Sequence, residues 1–217
     1  HPTAIVDSTA RIADTATVGP FSMIEADVVV GADTEIGPYC RIGVRTTIGE
    51  RNRFESHCSV GAPPQDLKYA GEPTAAHIGD HNTFREYVTV HRGSTAEIPT
   101  RTGSHNHLLA YAHAAHDSLI GDHCILSNGA TLGGHVTVED HVIISGLSGV
   151  HQFCRVGELA MVGACSYVNK DIPPFVLAAG RPCRVRGLNS VGLLRAGAGP
   201  DELALLRRAW RMIYRSD

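Results

Sequence analysis

The sequence predicts an all-β solenoid, a parallel β-helix of hexapeptide repeats, with a short C-terminal α-helical extension. Three observations predict it. Every sixth position from Val6 to Val60 carries a large apolar residue: Val6, Ile12, Val18, Ile24, Val30, Ile36, Ile42, Ile48, Phe54 and Val60. The residue four further on is usually small, as at Ala10, Ala16, Ser22, Cys40, Thr46 and Cys58, and glycine often follows the apolar residue, as at Gly19, Gly31, Gly37 and Gly43. Neither the period near 3.6 of an amphipathic helix nor the period of 2 of a half-buried strand describes the pattern.

The repeat resumes twice along the chain. Ile78, Phe84 and Val90 follow one interruption; Thr102, Leu108, Ala114, Ile120, Leu126, Leu132, Val138, Ile144, Val150, Val156, Val162 and Val168 follow another. Of these positions only Thr102 is polar and only Ala114 is small. Coils of a solenoid stack with the apolar place pointing inward, so the expected β-helix covers residues 1–176. Insertion loops fall near 61–77 and 93–101. The first, GAPPQDLKYAGEP, has the Pro and Gly content of a protruding loop. At NKDIPPFV the two prolines are expected to stop ladder pairing. Residues 177–217 then form a helical region, with a short helix candidate before Gly197 and a longer one from Glu202 to Arg215. Asp201 is its expected cap, and Leu203, Leu206, Trp210, Ile213 and Tyr214 its apolar face.

Composition narrows the function classes. A net charge of −3 and a pI near 6.5 argue against a nucleic-acid binder or a polybasic membrane anchor. No run of 18 apolar residues occurs, so no transmembrane segment is expected; no basic-then-apolar N-terminal segment suggests a signal peptide either. The 6 cysteines contain no CxxC pair, which predicts neither a zinc site nor a disulfide framework, but reduced thiols in a cytoplasmic protein. Among 19 basic residues only Lys68 and Lys170 are lysines, which draws attention to Lys68 in the first insertion.

The hexad pattern resembles the left-handed β-helix of the hexapeptide acyltransferases, in which three hexads make one triangular turn. Handedness is implied by that resemblance alone, since general crossover rules favour the right hand. A turn of about 18 residues places Gly134 one rung above His116 and Gln152 two rungs above. His135 and His151 flank this column, and His113 precedes His116 on its own rung. All occupy outward-facing places. An imidazole titrating near neutrality can serve as a general base. A backbone N–H at Gly134, which has no Cβ to obstruct a ligand, can stabilise an oxyanion. Asp117 can fix the His116 tautomer only if the chain bends at a prism corner, because neighbours on an extended strand point to opposite faces. Each histidine could equally be a solvated surface residue, and facing histidines could hold zinc, as in the hexapeptide carbonic anhydrases. A solenoid that only binds partners is a further reading.

Five segments, PPQDLKYAGEPT (63–74), AHAAHD (112–117), GGHV (133–136), VHQF (150–153) and GLNSVGL (187–193), resemble the UDP-N-acetylglucosamine O-acyltransferases of lipid A synthesis. The resemblance covers nearly the whole chain. It implies a cytoplasmic homotrimer with active sites between prisms. It also implies transfer of an (R)-3-hydroxyacyl group from acyl carrier protein to the 3-hydroxyl of the UDP-sugar, without metal or resident cofactor. The same chemistry on a 3-amino sugar nucleotide is the near alternative. By motif, His116 is the general base and Gly134 the oxyanion donor. Gln65, Asp66, Lys68, His113, His135, His151 and Gln152 bind sugar, diphosphate or acyl chain, and Ala164 sets acyl-chain depth. Asn189 and Arg195 reach the nucleotide, in a tail that departs from the family pattern at Arg181, Val191 and Ala196.

Overall fold

In the computed structural model, which describes residues 1–214, the hexads coil into a three-sided prism. Most of its strands are two residues long. Successive strands join different sheets in rotation, so the described residues form parallel-stacked sheets of nine, eight and ten strands. The first sheet includes Ser59–Ala62, Thr89–His91, His113–Ala114, Thr131–Leu132 and Gly149–Val150. The second includes Ala76–Ile78 and Leu119–Ile120; the third, Ile125–Leu126, Ile143–Ile144 and Met161–Val162.

Register steps by one 18-residue turn, as in His113↔Thr131 and Thr131↔Gly149. The insertions lengthen it at Ser59↔Thr89 and Thr89↔His113 and leave the phase of six intact. The inward apolar places are buried throughout the middle of the prism, Thr102 and Ala114 included, and Phe54 stacks on Phe84 in the core at 4.5 Å.

From the second coil onward most corners are turned by one residue in the left-handed region, with non-glycine φ values running from +52° at Arg51 to +66° at Phe175. Such a conformation costs an L-residue on the order of 1–3 kcal/mol. Side chains stacked along the corners offset part of it, as in Phe21–Tyr39–His57–Tyr87–Tyr111 and His81–His105–His123–His141, with neighbouring centroids 4.8–5.1 Å apart. Inside the corner between the second and third sheets, the usually small hexad place is asparagine at Asn52, Asn82 and Asn106, all buried. Asn82 Nδ2 donates to Asn52 Oδ1 and to Gly103 O, each at 2.9 Å. Backbone N–H groups of Asn82, Asn106 and Cys124 donate to the asparagine Oδ1 one rung below, at 3.0, 2.8 and 2.6 Å. The sequence pattern did not reveal this ladder.

The sheet outlasts the expected boundary at residue 176. Pro173 and Pro174 interrupt pairing only locally, and Ile172 still bridges to Val156. The strand Val176–Ala179 rejoins the third sheet beside Met161–Val162, and Arg184–Leu188 folds back antiparallel on it. Two helices follow, α1 (Ser190–Arg195) and α2 (Pro200–Tyr214). Asp201 is not the cap of α2. Pro200 opens the helix, where its missing N–H is no loss, and Glu202 Oε2 reaches back to the Gly199 N–H at 2.9 Å. Of the expected apolar face, Leu203 is buried, Leu206 and Trp210 are half-buried, and Ile213 and Tyr214 are exposed; Arg215 lies outside the described residues. Neither helix is long and apolar enough to cross a membrane. Of the 6 cysteines, all unpaired, five are buried and Cys165 is exposed.

Replacing Asn82 by alanine would leave the Asn106 N–H and the Gly103 carbonyl buried and unpaired. The expected loss is about 3 kcal/mol or more, read as a lowered urea midpoint.

Candidate active site

His116 and Asp117 form the turn between the first and second sheets, directly after His113–Ala114. Asp117 takes φ +58°, the corner conformation. That bend brings its side chain back beside its neighbour, and His116 Nδ1 lies 2.7 Å from Asp117 Oδ2. The strand alternation that made this contact doubtful does not hold at a corner. Asp117 is buried, its side chain 3% exposed, against 12% for His116. Burial opposes its ionisation, yet hydrogen bonds from His116 and Ser94 and the charge of His135 outweigh burial and hold its pKa below the ordinary carboxylate value.

Gly134 stands over the imidazole. A Cβ there would lie 2.6 Å from His116 Cε1 and 2.8 Å from Nε2, so a side chain at this place would displace the ring. The flanking N–H groups of Gly133 and His135 are bonded to Val150 O and His116 O. No such bond takes the Gly134 N–H among the described residues. One corner therefore holds an imidazole with its Nε2–Cε1 edge turned to Gly134.

The other histidines divide into two groups. His135 meets His116 edge to face at 5.3 Å, stacks on Phe153 and places Nε2 3.5 Å from Asp117 Oδ2. His113, half-buried, has Nδ1 2.7 Å from Thr89 Oγ1; burial and the neighbouring His116 charge lower its pKa. His151 and Gln152 are exposed on the rung above Gly134, and His151 contacts its neighbour's carbonyl. Reasoning from spacing missed His91, one rung below, because the second insertion shifts the count. It is buried, meets His113 edge to face at 4.9 Å, and leaves Nδ1 without a partner. Burial first, then the His113, His116 and Arg92 charges, push its pKa down to about 4.

Arg92 was missed for the same reason. The first-sheet register continued past Val90↔Ala114 sets it beneath His116. Its buried guanidinium donates to Thr74 Oγ1, Gly61 O and Tyr69 OH, each at 3.1 Å. Those bonds fasten the first insertion to the corner that carries His116. Within that loop Asp66 Oδ1 accepts the Lys68 N–H, and Gln65 and Lys68 are exposed.

Two groups of expected residues stand elsewhere. Asn189 is buried and caps α1: its Oδ1 accepts the Gly192 N–H at 3.1 Å and its Nδ2 donates to Leu159 O at 2.8 Å. With Arg195, His123, His141, Ile143 and Met161 it lines a groove of about 670 Å³ on the third sheet. In a three-sided prism that face lies opposite the His116 corner, so one chain does not bring Asn189 and Arg195 to His116. Ala164 lines an apolar groove of about 510 Å³ with Tyr111, Gly129, Gly146 and Leu147, at the corner between the third and first sheets. The first sheet spans the distance from this groove to His116, and nothing lies within 4 Å of where a Gly149 Cβ would project.

His116, Asp117 and His135 also bring three ligand-type atoms within 4.8 Å of one another. A metal there would have to displace existing partners, because Asp117 Oδ2 is already 2.7 Å from both His116 Nδ1 and Ser94 Oγ. The arrangement is that of a hydrogen-bonded dyad.

A hexapeptide prism with a histidine–aspartate pair beside a glycine at one corner fits the hexapeptide transferases, and comparison with known proteins agrees. A bacterial transferase hexapeptide model matches residues 9–44, and the model for UDP-N-acetylglucosamine O-acyltransferase domain 2 matches residues 171–217. The acyl-[acyl-carrier-protein]–UDP-N-acetylglucosamine O-acyltransferase of Stenotrophomonas maltophilia is 49% identical over 99% of this chain and 82% of its own. That of Thiobacillus denitrificans is 48% identical over 99% and 84%. The solved UDP-N-acetylglucosamine O-acyltransferase of Moraxella catarrhalis superposes with a TM-score of 0.96 at 43% identity, covering 100% of this chain and 84% of the other. The solved UDP-N-acetylglucosamine acyltransferase of Francisella novicida gives 0.97 at 38% identity, covering 99% and 79%. The chain belongs to the UDP-N-acetylglucosamine O-acyltransferase family, and its coil is the left-handed β-helix of that family.

His91 supplies a pH test. The unfolded ring takes up a proton near its ordinary 6.5, but the folded ring only near 4. The contribution is therefore complete above about 6.5 and is lost as pH falls through that window. Urea midpoints at pH 7 and 4.5 should differ less for His91→Gln than for the unaltered protein.

Proposed function

We propose that the chain acts as a homotrimer in the cytoplasm. It transfers an (R)-3-hydroxyacyl group from acyl carrier protein to the 3-hydroxyl of UDP-N-acetylglucosamine, the first step of lipid A biosynthesis, with His116 as general base. The observation that carries the reading is the His116–Asp117 dyad facing the Gly134 amide, in a chain of this family.

The chemistry follows from that geometry. Asp117 holds the Nδ1–H of His116, which leaves Nε2 to accept the proton of the sugar hydroxyl. The alkoxide attacks the thioester carbonyl, and the oxyanion that forms is stabilised by the Gly134 N–H. Collapse breaks the C–S bond, and His116 returns the proton to the departing phosphopantetheine thiol. A base and an oxyanion donor suffice, so the reading includes no metal and no resident cofactor; the donor's phosphopantetheine arrives on acyl carrier protein.

The trimer accounts for the division of the site. Lys68, Asp66 and Gln65 leave from the same corner as His116, whereas Arg195 stands on the opposite face. A cyclic arrangement seating the corner of one prism against the third face of the next would unite them in each of three identical interfaces. The acyl chain would cross the first sheet over Gly149 toward Ala164.

The test is turnover of purified protein with UDP-N-acetylglucosamine and a series of 3-hydroxyacyl carrier proteins. His116→Ala should lose on the order of 10² or more in kcat, as expected for a missing general base; full activity in that variant would remove the base assignment. In the same assay Ala164→Gly should move the preferred acyl chain to greater length. An unchanged chain-length profile would show that the groove at Tyr111 and Leu147 does not hold the acyl end.

A further inference from the structure

The second insertion has no role in the reaction as described so far. Its contacts give it one. Ser94 grips the Asp117 carboxylate twice, its N–H on Oδ1 at 2.9 Å and its hydroxyl on Oδ2 at 2.7 Å. At the far end of the same insertion, Thr100 Oγ1 accepts the Asp117 N–H at 2.7 Å. Both ends of the loop are tied to one residue below, since the N–H groups of Gly93 and Thr100 both donate to Ala75 O. Gly93 lets the loop close: a Cβ there would strike Ile98 O and lie 3.2 Å from Asp117 Oδ1.

Asp117 needs such a grip. Its side chain sits on a left-handed corner residue and two imidazoles approach the same oxygen, His116 at 2.7 Å and His135 at 3.5 Å. Rotation of the carboxylate toward His135 would abandon His116. A hydrogen bond on each oxygen from one residue fixes the carboxylate plane and prevents that rotation.

We propose that Ser94 is a positioning residue of this site, holding Asp117 on His116 Nδ1 so that Nε2 remains the proton acceptor toward Gly134. The inference rests on the reading of His116 as the base. It gives the second insertion the task of orienting the dyad, whereas the first presents polar side chains at the same corner.

The experiment compares Ser94→Ala, Ser94→Thr and His116→Ala in the full-length enzyme, with kcat, KM and the pH dependence of kcat/KM for each. Without the Ser94 hydroxyl the carboxylate is free to turn toward His135, 3.5 Å from the same oxygen. His116 then loses part of the negative charge that favours its imidazolium, and the base is freed at lower pH. Ser94→Ala should lose on the order of 10-fold in kcat, with KM for both substrates little changed and the acid limb of the profile displaced to lower pH. Ser94→Thr keeps a hydroxyl and should recover most of the rate and the original limb. A Ser94→Ala enzyme with undiminished kcat and an unmoved limb overturns the proposal. So does a loss with no movement of the limb that tracks a lowered unfolding midpoint, which would mean a structural role alone. Either result beside an inactive His116→Ala removes only the role of Ser94; an active His116→Ala removes the base assignment and the positioning role together.

Discussion

Everything in this molecule hangs on the parallel hydrogen-bond register between coils 18 residues apart. The strands are mostly two residues long, too short to persist alone, and each net hydrogen bond contributes only about 1 kcal/mol. Stability therefore accumulates between neighbouring rungs, as in other solenoids. The register also sets lateral position. A residue at a corner is stacked within van der Waals reach of the one a turn later, whatever lies between them in sequence. Columns of side chains, rather than segments of chain, are the functional units here.

The columns show what that constraint permits. Where a corner place repeats a ring, the rings stack, and the imidazoles of His81, His105, His123 and His141 lie within 7° of parallel from one to the next. Where a column changes character, space or polarity appears. The place above His116 is Gly134, and the missing side chain leaves the room that the imidazole occupies. The place above Tyr111 is Gly129, and the aromatic ladder gives way to the apolar groove beside Ala164. Both candidate subsites are gaps in a ladder.

This accounts for what could be read from sequence and what could not. The period of six gave the inward places, and the turn of 18 gave Gly134 over His116. Both survive because each insertion preserves the phase of six, although a protruding loop could have any length. Contacts that depend on corner backbone were hidden. Asp117 reaches His116 only because φ is positive there. Contacts that cross an insertion were also hidden: Arg92 and His91 lie beneath the site, yet their distance along the chain differs from one turn. The prolines at 173 and 174 pointed to an end of the sheet because sequence shows the lost donors but not the pairing that resumes at Val176. That Asn189 caps a helix was also hidden, because motif resemblance carries no capping geometry.

The electrostatics of the corner decide which histidine can act. Four imidazoles crowd together at His91, His113, His116 and His135, with one carboxylate among them. Burial pushes the His91 ring down to about 4 and also lowers His113, so burial disfavours a proton on either ring. In the proposed mechanism a proton taken from substrate settles beside Asp117. His116 meets that carboxylate at 2.7 Å with its side chain largely buried, whereas His135 stands at 3.5 Å and is 36% exposed. The shorter contact is also the less screened one. In the proposed mechanism a single buried acid, oriented on one of four similar rings, selects the base.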